Sequence, residues 1–363
     1  MIVKDEAPVI RRCLESVRPL IDTWVIVDTG STDGTQDVIR DVFSDLPGAL
    51  YERPWKGYDG SRTEAIELAR GNADYLLFID ADDVMETEPG FRMPELTLDA
   101  YQVGIRIGHA IHWRPVMVST RLPWRYVGVL HEYLDCGSRY SLGTLEGITM
   151  FNLDNGGRLR NEGVRAKYLR DVETLQQGLA KEPDNARYVF YLAQSLRAVG
   201  EFEKALEAYD RRVAMGGWYE EVFCSRLYAA RLAEKFEHPQ AEVVHRYLGA
   251  YETCPSRAEP LGELARMYRL NGERWPLAYM FARHAARLPY PKGRMLVELP
   301  WYEWAVLDEL AVSAYWVGQY EESKSCCESL LKSGKLPDEH RARVIENLEL
   351  AQLKLGSRQL AGV

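Results

Sequence analysis

The hydrophobic pattern of this chain changes near Gly156 and Gly157, and that change constrains the fold more than any other feature of the sequence. Before it, short apolar runs alternate with stretches of helical spacing. After it, apolar residues recur at steps of three and four, which is the period of an amphipathic helix. A chain of 363 residues is also long enough for two domains. We therefore predict an α/β domain followed by an all-helical domain.

Two continuous apolar runs in the first part, Trp24–Val27 and Tyr75–Ile79, predict strands buried on both faces of a parallel sheet. Thr35–Phe43 and Arg62–Arg70 lie between them and have helical spacing. Strand, helix and strand in this order are typical of an α/β domain. Two later stretches are predicted to be further strands: Tyr101–Ile107 and Ile111–Val118.

The second part contains a degenerate repeat. A helix from Val164 to Leu179 leads into it. Small residues that suit close helix packing recur at intervals of 36, 36 and 46 residues, at Ala193, Ala229, Ala265 and Ala311. Further members of the pattern are a second small position, turn glycines and one bulky contact residue, at Ala205, Ala241, Gly200, Gly272, Gly318 and Tyr209. This spacing predicts tetratricopeptide (TPR) repeats, with an insertion around Pro289–Pro300.

Composition excludes several classes of function. The net charge of −9 argues against a non-specific nucleic-acid binder, and no apolar run has the length of a membrane helix. No charged-then-apolar leader precedes the first motif. Six cysteines without a C-x-x-C pair predict reduced, mostly buried thiols in a cytoplasmic protein, and indicate neither a zinc site nor a disulfide framework.

The first group of candidate site residues follows the strand Trp24–Val27. Asp28 stands at its carboxyl end, where ligands of open α/β sheets gather, and can accept hydrogen bonds from a base or a ribose. Ser31 can offer its O–H or its backbone N–H to a phosphate. We expect Asp33 to cap a helix instead.

The second group is Asp80–Ala81–Asp82–Asp83, directly after the run Tyr75–Ile79. Carboxylates at this density repel one another unless a cation lies among them, and hard oxygen ligands suit Mg²⁺ or Mn²⁺. If the chain is extended here, Asp80 and Asp82 project to the same side and can meet one metal–diphosphate unit. The alternative is a solvated acidic turn.

The third group lies in the aromatic segment Trp124–Leu134. Glu132 is a candidate general base. His131 is either a structural residue or a catalytic one that binds the metal, binds the acceptor or shares the proton with Glu132. Two arginines are able to pair with a diphosphate, Arg62 and Arg158, and for Arg158 we favour a surface role.

With these residues in view, the first part resembles the family 2 glycosyltransferases of the GT-A fold. The motifs that carry the resemblance are IVKDEAPVIRRCLESV, VDTGSTDGT, RTEAIELA and ADYLLFIDADD. The second part looks like the TPR-like helical domain attached to one subgroup of these enzymes. We therefore expect a GT-A nucleotide-sugar-binding domain with a Rossmann-like mixed sheet at 1–157, a linking helix at 158–184 and a TPR-like all-α domain at 185–363.

The resemblance implies an inverting glycosyltransferase that uses a nucleoside-diphospho-sugar, expected to be a UDP-sugar, and Mn²⁺ or Mg²⁺. Asp28 matches the family's base-binding aspartate. Asp80 and Asp82 match its D-x-D motif, the first near the ribose and the second on the metal. Glu132 matches a catalytic carboxylate of the subgroup. The family normally has several apolar residues before IVK, so we expect either a short first strand or a true start that lies before Met1.

Two other functions fit parts of the sequence. One is a non-catalytic TPR-type scaffold with a degenerate glycosyltransferase domain; the intact Asp28 and acidic turn argue against it. The other is a nucleotidyltransferase, which needs a basic glycine-rich phosphate loop that is not evident. The expected acceptor is a saccharide, peptide or protein. We expect the repeats to position that acceptor or to form a homodimer through aromatic residues such as Trp218, Trp275 and Trp316.

Overall fold

A computed structural model of the chain describes residues 1–153, 163–292 and 294–360, with side chains up to 357. Gly156, Gly157, Arg158 and the predicted boundary at residue 157 lie outside the described residues. The model divides the chain into two compact units, 1–208 and 209–363. The first unit thus extends past the predicted start of the repeat domain at residue 185, and it includes two helices of the second part.

The first unit begins with alternating strands and helices. In chain order these are β1 (Ile2–Val3), α1 (Ala7–Val17), β2 (Trp24–Asp28), α2 (Thr35–Val42), β3 (Gly48–Glu52), α3 (Gly57–Ala69) and β4 (Tyr75–Leu77). The following strands are β5 (Asp83–Thr87), β6 (Ala100–Ile107), β7 (Ala110–Ser119), β8 (Arg125–Val127), β9 (Tyr133–Asp135) and β10 (Leu142–Asn152). As expected, the first strand is short.

The strands of the first unit form separate sheets. β1, β2 and β3 are parallel neighbours, and β8 and β9 form a hairpin. A larger mixed sheet has the order β7-β6-β10-β5, with β4 antiparallel to β7. The prediction that Tyr75–Ile79 belongs to a parallel sheet is therefore wrong. The two-residue β1 pairs with β2 alone among the described strands, and β4 takes its hydrogen bonds from β7.

Helix α1 helps to join these sheets through one hydrophobic core. Its residues at steps of three and four are buried, among them Ile10, Cys13, Leu14 and Val17. They pack in one cluster with Ile26 of β2 and with apolar side chains of β5, β6, β7 and β10. The amphipathic pattern of α1 therefore fixes the ends of several strands around it, which is where the candidate site lies.

The chain after residue 163 is mainly helical. Its helices are α4 (Val164–Lys181), α5 (Ala186–Val199), α6 (Phe202–Met215), α7 (Tyr219–Lys235), α8 (Gln240–Thr253), α9 (Glu259–Asn271), α10 (Trp275–Ala285), α11 (Pro300–Glu303), α12 (Ala305–Trp316), α13 (Tyr320–Ser333) and α14 (Asp338–Leu360). A two-residue strand, β11 (Val297–Glu298), precedes α11. In the second unit, α7 packs on α8, α9 on α10 and α12 on α13. This is the TPR-like arrangement of helix pairs.

Most of the predicted repeat positions have the expected environment. Ala193, Ala229, Ala265 and Ala311 are buried, as are Ala205 and Tyr209. Gly200, Gly272 and Gly318 have φ of 89°, 69° and 80°, which suits a turn after a helix. The prediction for Ala241 is wrong: it is exposed, because it lies in the first turn of α8. Of the three aromatic residues expected at a contact surface, Trp218 and Trp316 are exposed, whereas Trp275 is half-buried.

The predicted insertion is found between α10 and α12, and it packs on the helices of its own unit. Arg231 of α7 pairs through two nitrogens with the Glu298 carboxylate, at 2.6 and 2.7 Å. Tyr302 donates to Glu259 of α9 at 2.7 Å. Trp301 lies so close to Gly262 of α9 that a methyl group on this glycine would overlap the indole ring. The insertion therefore covers a face of α7 and α9.

Gly262→Ala tests this packing. The added methyl group must displace Trp301, so we expect the free energy of unfolding to fall by roughly 1–3 kcal/mol. Gly356→Ala is the matched control, because Gly356 of α14 has open space around it, and removing a helical glycine there should stabilise by up to about 1 kcal/mol. Thermal or urea unfolding measures both changes. Equal effects in the two variants would contradict the described contact.

Candidate functional site

Arg62 brings three of the predicted site residues together. Its Nη2 lies 2.6 Å from Oδ1 of Asp80, and its Nε lies 2.5 Å from Oε1 of Glu132. The Arg62 and Glu132 side chains are 16% and 9% exposed, so both ion pairs are shielded from water. The guanidinium also lies 5.4 Å from the ring centre of Tyr126. The sequence predicted Arg62 as a diphosphate ligand, but in this structure its partners are the two carboxylates.

The charges around Asp80 favour its ionised form. Burial alone would raise the pKa of Asp80, but the positive charges of Arg62 and Arg114 more than offset this and lower it. Burial raises the pKa of Tyr126 to about 12, so its hydroxyl keeps its proton at neutral pH. Arg62 and Arg114 are therefore the cations that stabilise the ionised form of Asp80.

The acidic segment is a turn and not an extended chain. The N–H of Asp83 donates to the carbonyl of Asp80 at 3.1 Å, so the alternation of side chains that was expected to place Asp80 and Asp82 on one side does not apply. Helix α1 supports the turn. Arg12 donates to the carbonyl of Asp82 at 3.3 Å, and the thiol of Cys13 donates to the carbonyl of Asp80 at 3.2 Å.

The carboxylates of this turn suit a hard cation. Burial, and then the charges of Asp80 and Asp82, raise the pKa of Asp83 to about 7. Oδ1 of Asp83 accepts from Asn152, while its buried Oδ2 has no hydrogen-bond partner. Within the described ranges, no three His, Cys, Asp or Glu side chains are grouped as a complete metal site. A carboxylate oxygen such as the unpaired Oδ2 of Asp83 is the kind of ligand that Mg²⁺ or Mn²⁺ takes, with water and phosphate oxygens completing the shell.

Asp28 has one structural oxygen and one unused oxygen. Its Oδ1 accepts from the N–H groups of Gly30 and Ser31, both at 2.8 Å, and so fixes the loop after β2. Its Oδ2 is buried and has no hydrogen-bond partner. A buried acceptor left unpaired costs ~1–3 kcal/mol, which a ligand N–H or O–H would recover.

Ser31 and Asp33 hold the same loop against α1. The Ser31 hydroxyl accepts from the N–H of Asp5 at 2.9 Å, and the Ser31 N–H is used by Asp28, so only the hydroxyl proton is left for a phosphate. Asp33 accepts from the N–H groups of Ala7 and Thr35, the first residues of α1 and α2. It therefore caps two helix starts from outside, although the N-cap residue of α2 is Gly34.

His131 and Glu132 lie in the hairpin loop between β8 and β9. The surrounding protein, together with the charges of Arg187 and Lys167, lowers the pKa of His131, so its ring is neutral at physiological pH. The ring stacks on Tyr191 of α5, with centroids 3.8 Å apart. Sequence reasoning missed Arg187 and Tyr191, because nothing in the pattern of α5 relates it to a loop that lies about fifty residues earlier in the chain.

A known family model matches the part of the chain that carries most of the candidate site. Residues 1–90 match the model described as Glycosyl transferase family 2. Residues 1–90 are thus similar to family 2 glycosyltransferases. The match includes Asp28, Arg62 and the acidic turn, and it ends before Glu132.

The curated relatives of this chain are of two kinds. The glycosyltransferase SunS of Bacillus subtilis is 24% identical over 224 residues, which are 59% of this chain and 52% of SunS. The lipopolysaccharide core biosynthesis glycosyltransferase LpsC of Rhizobium meliloti is 28% identical over 33% of this chain and 42% of its own length. A TPR repeat-containing protein of Synechococcus elongatus is 26% identical over 78% of this chain and 73% of its own length. The chain thus spans about half the length of SunS.

Among the solved structures that resemble part of the chain are TPR proteins. One is the C-terminal part of a TPR repeat-containing protein from Cytophaga hutchinsonii, 16% identical, with a TM-score of 0.39 over 52% of this chain and 71% of that one. The fold assignment here depends on the helix pairs described above and not on this score. None of the helices in the described ranges is long and apolar enough to cross a membrane.

Arg62→Met tests the pairing at the centre of the site. Loss of the shielded cation leaves Asp80 and Glu132 facing each other, so we expect ~3 kcal/mol less stability at pH 7. The ordinary pKa of an aspartate is 3.8, and that of Asp80 is lowered. The stability that Asp80 contributes through this ion pair is therefore fully present above pH 3.8, and it is lost as the pH falls through the lowered pKa of Asp80.

The difference in stability between parent and Arg62→Met should accordingly shrink as the pH falls through about 4. Arg40→Met is the control, because the Arg40–Asp37 pair is exposed and worth less than about 1 kcal/mol. Urea unfolding between pH 3.5 and 8 measures both series. A loss in Arg62→Met that is no larger than in Arg40→Met would contradict the ion pairing.

Proposed function

We propose that this chain is an inverting glycosyltransferase that moves a sugar from a nucleoside diphosphate, with UDP as the expected nucleotide, to an acceptor nucleophile. The observation that carries the proposal is the meeting of Asp80 and Arg62, which lie within the residues that match the family 2 model, with Glu132, which lies beyond them. The unpaired Oδ2 of Asp28 supports a nucleotide at the end of β2. The curated relatives SunS and LpsC are named as glycosyltransferases.

Each residue has a proposed task. Asp28 accepts a hydrogen bond from the base or ribose of the donor, and the Ser31 hydroxyl offers its proton to a phosphate. Asp82, supported by Asp80, would hold a divalent cation, and this cation would supply positive charge for the leaving diphosphate. Arg62 keeps its positive charge beside both carboxylates and holds their spacing.

The proposed reaction is a single displacement. Glu132 takes the proton of the acceptor nucleophile, which forms its bond to the anomeric carbon as the bond to the diphosphate breaks. One displacement on the opposite face inverts the configuration. His131 is the less favoured base, because its ring is stacked on Tyr191. We propose for it the structural role of fixing the loop through its stack on Tyr191.

The acceptor, the place of action and self-association are further parts of the proposal. A saccharide, peptide or protein acceptor is consistent with the relatives, one of which is named for lipopolysaccharide core synthesis. The six cysteines are free and buried, as in a cytoplasmic protein. The exposed Trp218 and Trp316 are the residues that we propose for acceptor contact or a homodimer.

Nucleotide release from a panel of UDP-sugars with Mn²⁺ tests the metal assignment. Asp82→Ala should reduce release by at least roughly 100-fold, because the leaving diphosphate loses its counter-charge, while the melting temperature without metal stays at the parent value or rises as repulsion falls. Asp74→Ala removes an exposed carboxylate close in sequence and is the control. Full release by Asp82→Ala in EDTA would sink the assignment. A chain that binds donors but never turns them over would favour the scaffold alternative.

Glu132→Gln tests the base. The change keeps the shape of the side chain and removes its basicity, so turnover should fall by roughly 100-fold or more. Donor affinity, measured as a donor-induced rise in melting temperature, should hold. Glu67→Gln, at an exposed position of α3, is the control. Unchanged turnover in Glu132→Gln would mean that another group takes the proton.

A further inference from the structure

The loop that carries His131 and Glu132 is fastened by a helix outside the matched glycosyltransferase region. Nε and Nη2 of Arg187, on α5, both donate to the carbonyl oxygen of His131, at 3.0 and 2.9 Å. The same guanidinium lies over the rings of Tyr133 and Tyr191, at 5.2 and 4.9 Å from their centres. A single planar cation thus holds the backbone immediately before Glu132.

Neighbouring side chains of α5 hold the rest of the loop. The hydroxyl of Tyr188 accepts from the N–H of Val129 at 3.2 Å. Tyr191 stacks on the ring of His131 with the two planes only 10° apart. Arg187, Tyr188 and Tyr191 have the spacing of one face of a helix. The loop is therefore bound from one direction at both its beginning and its end.

This support matters because the loop has a strained backbone. His131 has a φ of 51°, in the left-handed region that costs a residue with a Cβ ~1–2 kcal/mol. A residue stays there only when its surroundings compensate for the cost. The orientation of the His131 carbonyl that Arg187 binds is also the one that places Glu132 against Arg62, since the two residues share a peptide bond.

We propose that Arg187 is a positioning residue for Glu132: it holds the left-handed turn at His131, and thereby fixes the carboxylate at Arg62. The kinetic consequence rests on the proposed function, whereas the structural claim does not. Helix α5, the first helix after the linking helix, then helps to position the residues of the proposed reaction centre. This differs from the expectation that the helical part serves acceptor binding or self-association alone.

Hydrogen exchange of the ligand-free chain tests the structural claim. Arg187→Ala should speed exchange of the amides from Gly128 to Leu134 by roughly 10-fold or more, because two hydrogen bonds to a charged group are lost. Arg187→Lys keeps the charge without the planar fork and should lie between parent and Arg187→Ala. Arg165→Ala, at an exposed arginine of α4, is the control. Parent-like exchange of the loop in both Arg187 variants would overturn the proposal.

Kinetics test the link to Glu132. Arg187→Ala should lower kcat by roughly 10-fold while KM for the donor holds, and Arg187→Lys should recover part of the loss. In the Glu132→Gln background, Arg187→Ala should cost little more, because both changes remove the same function. Full additivity would overturn the positioning role. If the parent releases no nucleotide from any donor, the proposed function fails, and the exchange experiment still decides whether Arg187 holds the loop.

Discussion

A shielded arginine with two carboxylate partners is the interaction on which this site depends. Arg62 belongs to α3, Asp80 to the turn after β4 and Glu132 to the β8–β9 loop, so one guanidinium joins three separate segments. Without the Arg62 cation, the carboxylates of Asp80 and Glu132 would repel each other and separate the turn from the loop. The spacing of the candidate metal site and the candidate base is therefore set before any ligand is present.

The segments that meet at Arg62 are each supported from behind. Helix α1 donates to the carbonyls of the acidic turn through Arg12 and Cys13. The Asp28 loop is held at the start of the same helix, because Ser31 accepts from the N–H of Asp5 and Asp33 accepts from the N–H of Ala7. On the other side, α5 fastens the hairpin loop. The proposed catalytic side chains are thus positioned by hydrogen bonds from residues that take no part in the chemistry. Such support keeps a site within the narrow geometric tolerance that a reaction needs.

Local pattern in the sequence predicted what depends on local pattern. The apolar run at β2 and the steps of three and four in α2 and α4 involve residues close together in the sequence, and the structure has these elements within a few residues of the expected bounds. The position of Asp28 at a strand end followed from the same pattern. Its unpaired Oδ2 did not, because hydrogen bonds to Gly30 and Ser31 decide which oxygen is used.

What the sequence could not predict is pairing over long distances. The antiparallel placement of β4 depends on β7, about forty residues later, and the contacts of Arg187 depend on how α5 meets the loop. Likewise the D-x-D argument assumed an extended chain, whereas the Asp83 N–H closes a turn onto Asp80. The family resemblance predicted site residues best within residues 1–90, which the family model matches, and least well at Glu132, which lies beyond them.

The most direct measurement of the central claim is a crystal structure of the full chain soaked with UDP and Mn²⁺, with the metal located by its anomalous signal. We predict a single strong manganese peak beside the Asp82 carboxylate and the diphosphate, with the nucleoside hydrogen-bonded to Oδ2 of Asp28 and the diphosphate on the same side as Arg62. Manganese and nucleotide bound away from Asp28 and the acidic turn, at full occupancy, would contradict it.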